Sequence, residues 1–299
     1  MSDVPINSSR ARRPALKLIL TESDAQEDDG RGGGGGDGGP PIGSVRGGDI
    51  VPVLASDDAL AVELSRELGA NWRCGMPGSD WIEWTGQRWA RECTQRAFDL
   101  ARQVCRDYAD RHELPDKLGR EVSSTRKAYA ALKFAGADRR HATLLADFDR
   151  DPWRLNTPLG IIDLRTGQRQ DHERDALMSK MTVAGPEGSC PEWLRFLREA
   201  TGGDEDIQGF LQRWAGYCLT GITTEEVFVF LHGPPGTGKS TYQWVLWTLL
   251  GDYAIRAPMD TFVEVKGERH PTELAQFQGA RLVVANETQD GQRWNEARL

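Results

Sequence analysis

The stretch VFVFLHGPPGTGKSTYQWVLWTLLGDY, Val227 to Tyr253, decides the fold class. VFVFL, Val227 to Leu231, is a β-branched and aromatic run of strand length. It is followed by Gly233-Pro234-Pro235-Gly236-Thr237-Gly238-Lys239-Ser240, which satisfies G-x-x-x-x-G-K-[ST] without departure. TYQWVLWTLLG then reads as a helix with Val245, Leu246, Leu249 and Leu250 on its buried face. Strand, glycine loop and helix in this order bring backbone N–H groups of the loop and of the helix start onto phosphate oxygens. Gly233, Gly236 and Gly238 let the backbone close around an anion without side-chain obstruction. Lys239 is expected to neutralise β- and γ-phosphate charge and Ser240 to hold Mg²⁺. Thr241 belongs to the same nucleotide-contacting run, with capping or packing rather than metal contact as its role. The bland alternative is an ordinary glycine-rich turn, and the flanking strand and helix weigh against it.

Such a site also needs a carboxylate beyond the end of a neighbouring strand. ARLVVANETQDG, Ala280 to Gly291, supplies one: Leu282, Val283 and Val284 read as a short buried strand, with Glu287 just past it. Glu287 there can orient attacking water or join the Mg²⁺ shell. An acid after a strand is common, so the pairing with the loop carries the assignment. Asp290 is the reserve, and Asn286 is expected to bond locally. Between loop and acid the chain has room for a strand around Tyr253 to Arg256 and a helix over PTELAQFQ, Pro271 to Gln278.

Upstream, DEDIQGFLQRWAGYCLTG (Asp204 to Gly221) predicts a helix with Ile207, Phe210, Leu211 and Trp214 on one face. CPEWLRFLREATGG, Cys190 to Gly203, predicts a short amphipathic helix, and NTPLGIIDLRTGQ, Asn156 to Gln168, strand and turn with the bend at Thr166-Gly167. About Gln95 to Phe148 reads as mostly helical. In DWIEWTGQRWARE, Trp81 and Trp84-Thr85-Gly86 predict a strand and tight turn with Trp89 on the return strand. Three tryptophans this close can stack bases, but a hairpin pinned on a helical domain needs them equally, and that reading is preferred. Ser56 is placed to cap a helix carrying Leu60, Val62, Leu64 and Leu68. The acidic run Asp147, Asp149 and Asp151 is read as a loop or cap rather than a primase metal cluster.

From Thr21 to Ile50, eleven of thirty residues are Gly and seven are acidic, too little apolar surface to offset the entropy of ordering. The expected organisation is therefore a disordered leader over 1–50, a mainly helical domain with a small β-hairpin over 51–185, and an α/β ATPase domain over 186–299. The net charge of −8 argues against general attraction to nucleic acid but leaves room for a local basic surface. Five cysteines with no CxxC pair indicate neither zinc site nor disulfide framework, and a reduced cytoplasmic compartment is the simplest reading. Leu18-Ile19-Leu20 is too short for a signal peptide, no run suits a membrane span, and no membrane association is expected.

Taken together, these pieces resemble the phage and plasmid primase-helicase family, whose C-terminal engine is a superfamily 3 helicase with an AAA-like P-loop NTPase core. CPEWLRFL and DIQGFLQRWAGYCLTG resemble the lead into that ATPase, VFVFLHGPPGTGKST its Walker A strand and loop, LLGDYA the end of the next helix, and GARLVVANETQDG its Walker B strand, with Glu287 at the acidic position. WIEWTGQRW and NTPLGIIDLRTG resemble pieces of the preceding helical domain. Pro235 and Gly236 depart from the family's usual Asn or small residue, and GPPGTGKS also suits the broader AAA-like ATPases.

The resemblance implies ATP and Mg²⁺ as cofactors, Lys239 and Glu287 as catalytic residues, and Ser240 and Glu287 as metal-associated ones. It implies an ATP-dependent DNA helicase working on single-stranded or forked DNA as a homo-oligomeric, hexameric ring in a bacterial or phage-infected cell, with a primase or other replication protein as partner. The family's sensor strand, arginine and DNA-gripping loop follow its Walker B segment, so the resemblance also implies a chain truncated there and without unwinding activity by itself. Rival readings are an initiator or packaging ATPase that does not unwind, a primase-associated ATPase, and a non-catalytic remnant.

Overall fold

A computed structural model describes residues 53–263, 277 and 279–285, together with the backbone of 17–22. It is mixed α/β. By backbone contacts the chain divides into two units, one of Ala25–Arg150 with Glu173–Ser179, the other of Met1–Asp24, Asp151–His172 and Lys180–Leu299. This division differs from an expected boundary at residues 185/186, because the hairpin around Gly160 groups with the C-terminal unit.

In the first unit, helix α1 (Asp57–Leu68) starts where its cap dictates: the Ser56 side chain accepts the Ala59 N–H at 3.1 Å. Leu60, Leu64 and Leu68, spaced by four, form its buried stripe, while Val62 falls off it and is half-buried. Helices α2 (Arg96–Arg111), α3 (Asp116–Val122) and α4 (Thr125–Ala137) follow. Small residues line the facing sides of α2 (Ala97, Ala101, Cys105) and α4 (Ala128, Ala131, Ala135), so the helix backbones approach closely around one core. Lys127 of α4 ties the start of α1, bonding the Asp57 carboxylate at 2.8 Å and the Ala55 carbonyl at 3.2 Å.

The tryptophan-rich segment forms more than a hairpin. Strands β2 (Trp72–Met76), β3 (Asp80–Trp84), β4 (Trp89–Arg91) and β5 (Ala142–Leu144) make a sheet ordered β4-β3-β2-β5. Trp84 pairs with Trp89 across the predicted turn, and β5 joins β2 in parallel, Cys74 opposite Ala142. Trp81 and Trp89 are buried and Trp84 half-buried. Trp81 meets Trp72 edge-on at 6.3 Å, and the Trp89 Nε1–H donates to the Arg174 carbonyl at 2.9 Å. These rings are packing residues, as a pinned hairpin requires. The Asp149 carboxylate accepts from the N–H and hydroxyl of Ser179, a local structural role.

The second unit carries the hairpin strands β6 (Arg154–Thr157), β7 (Gly160–Asp163) and β8 (Gln168–Gln170), ordered β6-β7-β8. Here Asp151 caps its own turn, its carboxylate accepting the Trp153 N–H at 3.0 Å. Two helices follow, α5 (Pro191–Ala200), with Pro at its first position, and α6 (Glu205–Tyr217), capped by the Asp204 carboxylate on the Ile207 N–H at 3.0 Å. Next come β9 (Val227–His232), α7 (Lys239–Leu250), β10 (Ala254–Ala257) and β11 (Leu282–Ala285). β10 and β11 pair in parallel, Ile255 opposite Val283.

β9 pairs instead with β1 (Lys17–Glu22), antiparallel, Ile19 opposite Phe230. This corrects the reading of 1–50 as wholly disordered. The composition that argues for disorder is concentrated after Glu22, whereas residues 17–22 hold the Leu-Ile-Leu run, which finds hydrogen-bonding partners along the β9 edge. The helix expected over Pro271–Gln278 lies outside the described residues except at Phe277.

Candidate functional site

The loop between β9 and α7 has the shape its glycines allow. Gly236 (φ 79°) and Gly238 (φ 92°) both take left-handed conformations that a side chain would strain. Space beside Gly236 is open, with no atom within 4 Å of where a Cβ would sit. Gly238 caps α7 and offers no side-chain acceptor, and its carbonyl takes the Tyr242 N–H at 2.9 Å. The N–H groups of the first helical turn point out of the helix start, where they have no intrahelical carbonyl to bond.

Lys239 is folded back over this loop. Its ammonium donates to the Gly233 carbonyl at 2.6 Å, the Pro234 carbonyl at 2.8 Å and the Thr237 hydroxyl at 3.3 Å. Three donors meet three loop oxygens, so the charge is held inside the turn. Thr237 is buried and donates its own hydroxyl to Pro234 O at 3.0 Å, bracing the loop. Pro234, Pro235, Ser240 and Thr241 are exposed.

Behind the loop, α7 turns Tyr242, Leu246 and Leu250 inward. This shifts the expected face: Leu246 and Leu250 are buried as read, Val245 is half-buried, Leu249 is exposed, and Tyr242 opens the stripe at i, i+4, i+8. Tyr242, Leu246, Leu197 and Leu211 form a core against which Leu231 of β9 and Leu282 of β11 pack, together with Ile207 and Trp214. The loop strand and the strand leading to the acid thus flank one helix face. β11 is less buried than expected, with only Val284 inside. Arg281, just before it, donates to the carbonyls of Leu219 and Arg154 and lies 4.4 Å over the Tyr253 ring, tying β11 to the end of α6 and to β6. Burial pushes the Tyr242 phenol up, with Cys218 a second cause, and burial alone pushes the Cys218 thiol up to about 12.

Glu287, Asn286 and Asp290 lie outside the described residues. The structure thus brings together Gly233 through Thr241 and carries β11 to Ala285, two positions short of Glu287. No group of three or more His, Cys, Asp or Glu side chains suited to a metal occurs among the described residues. The sequence missed the contact between α5 and the loop, for which the spacing of Trp193 and Phe196 on one helix face was the available signal.

Residues 62–202 match the family model described as D5 N terminal like. That domain is found in phage and plasmid primase-helicase proteins. The D5-like segment runs from within α1 to the end of α5 and stops before β9, so it covers the tryptophan sheet and leaves the glycine loop at 233–240 outside. A 66-residue stretch is 33% identical to an uncharacterized mitochondrial protein, ymf21, of Marchantia polymorpha, covering 22% of this chain and 37% of that protein. No helix among the described residues is long and apolar enough to cross a membrane.

Proposed function

We propose that residues 233–241 bind the triphosphate of ATP with Mg²⁺, and that they are part of the engine of an ATP-dependent DNA helicase of phage or plasmid replication. The observation that carries the reading is the Lys239 ammonium, held by three oxygens of a loop whose Gly236 and Gly238 are in left-handed conformations. Phosphate oxygens entering the loop would replace neutral carbonyl partners with charged ones, a stronger hydrogen bond for the same donors. The first-turn N–H groups of α7 would complete the cradle, the exposed Ser240 hydroxyl would face Mg²⁺, and Gly236 would leave room for the phosphate chain. Glu287, two residues past β11, would orient the attacking water.

The D5-like segment upstream supports a place in replication, and from it follow the proposed partners: single-stranded or forked DNA held by its backbone phosphates, a ring of copies of this chain, and a primase or other replication protein. The test is titration of MgATP into the full chain and its Lys239→Ala variant, followed by DNA-stimulated hydrolysis. Binding and turnover are expected to be lost in the variant; equal values for both proteins would end the nucleotide reading.

A further inference from the structure

α5 is not part of the phosphate loop, yet it touches the loop where the turn is most constrained. A Cβ built on Gly238 would lie 2.9 Å from Cε2 and 3.0 Å from Cζ of Phe196, and 3.2 Å from the Ala200 Cβ. The Phe196 ring therefore occupies the side of Gly238 where any other residue would carry its side chain. On the helix side, the Gly238 carbonyl is fixed by the Tyr242 N–H at 2.9 Å. Ring and hydrogen bond together hold a residue that, as glycine at φ 92°, has the widest choice of conformations in the chain.

The ring is itself supported. Trp193 stacks on Phe196 at 5.2 Å and 25°, and on Tyr242 at 5.8 Å and 18°. The Tyr242 hydroxyl donates to the Leu211 carbonyl of α6 at 2.8 Å. Three rings thus run from Gly238 to α6, with the Trp193 indole in the middle.

We propose that Phe196 is a positioning residue for nucleotide binding: pressed on Gly238, it holds the loop peptides at the start of α7 in the orientation that the phosphates require. The proposal rests on the nucleotide reading above and deepens it. A loop already in its bound conformation loses less freedom when the ligand arrives, so removing the ring lowers affinity without removing any group that touches the ligand. The ring stack also couples loop occupancy to the environment of the Trp193 indole.

MgATP is titrated into the wild-type chain, Phe196→Ala, Lys239→Ala and Trp193→Phe, following heat of binding and tryptophan emission. Phe196→Ala is expected to bind about tenfold more weakly, and Trp193→Phe to abolish most of the emission change while still binding. If the wild type binds no nucleotide, the nucleotide reading and this proposal fall together. If the wild type binds, Lys239→Ala does not, and Phe196→Ala equals the wild type, the nucleotide reading stands and the positioning role is overturned. Should Phe196→Ala not fold, Phe196→Leu, which fills the core without a flat ring, takes its place with the same expected direction.

Discussion

Leu60 and Leu64 of α1 are fully buried, whereas no residue of β9 is, and Val283 at the centre of β11 is 37% exposed. The first region closes on itself: α1, α2 and α4 share one core, and sheet β4-β3-β2-β5 has three antiparallel or parallel pairings within it. Around the glycine loop at 233–240 the described strands fall into two pairs, β1-β9 and β10-β11, that join through the buried face of α7 rather than through a common ladder. Helix packing of small against small residues completes a core from neighbouring sequence. β9, by contrast, takes its edge partner from a segment more than two hundred residues away in the chain.

The contrast is tested most severely by Leu64→Ala. Loss of a fully buried leucine from a closed core is expected to cost about 3 kcal/mol, read by urea denaturation, and Val283→Ala much less; equal costs would break the distinction between the regions. A smaller effect, on the order of 1 kcal/mol, is expected on deleting residues 1–22, which leaves the β9 edge that β1 covers without its ladder. Light scattering should rise as that edge seeks other strands, while the near-ultraviolet signature of Trp81 and Trp89 stays unchanged. A deletion variant with neither lowered stability nor self-association would show that β1 contributes nothing to β9.

An effect confined to alkaline pH, and absent below it, sharpens the comparison inside the loop unit. Burial raises the Cys218 thiol from an ordinary 9.0 to about 12. The unfolded chain then loses its proton first, so the stability conferred by the neutral buried thiol is complete below pH 9 and falls as pH rises from there towards 12. Cys218→Ala should flatten that alkaline decline, whose slope is at most about 1.4 kcal/mol per pH unit; identical alkaline profiles would mean the thiol is not sealed from water. Cys93 and Cys190, both exposed, should meanwhile react with thiol reagents in the folded protein.

Much of the local architecture was legible. Ser56 caps α1 as read, α5 and α6 begin within a residue or two of where their signals fall, and the turn at Thr85-Gly86 joins Trp84 to Trp89. Each of these depends on residues three or four apart in sequence. β5 was not legible, because three residues, Ala142–Leu144, carry no period of their own and become a strand by lying parallel to β2. Nor was β1, whose partner is more than two hundred residues away. In the candidate site, glycines 236 and 238 and the strand-loop-helix order followed from sequence, as did the strand ending before Glu287. The inward turn of Tyr242 and the seat of Phe196 on Gly238 did not, since a helix's apolar stripe says which side is buried but not what it is buried against.

By itself, then, the amino-acid order determined where helices begin, where the chain must turn, and that a lysine follows a glycine loop between a strand and a helix, because capping and left-handed glycine act over a few residues. Only the tertiary structure decided that β9 pairs with Lys17–Glu22, that the hairpin around Gly160 belongs to the C-terminal unit, and that an aromatic ring from α5 closes one side of the loop. Edge hydrogen bonds and ring contacts are satisfied by whichever distant segment reaches them, and that choice is made by the folded chain as a whole.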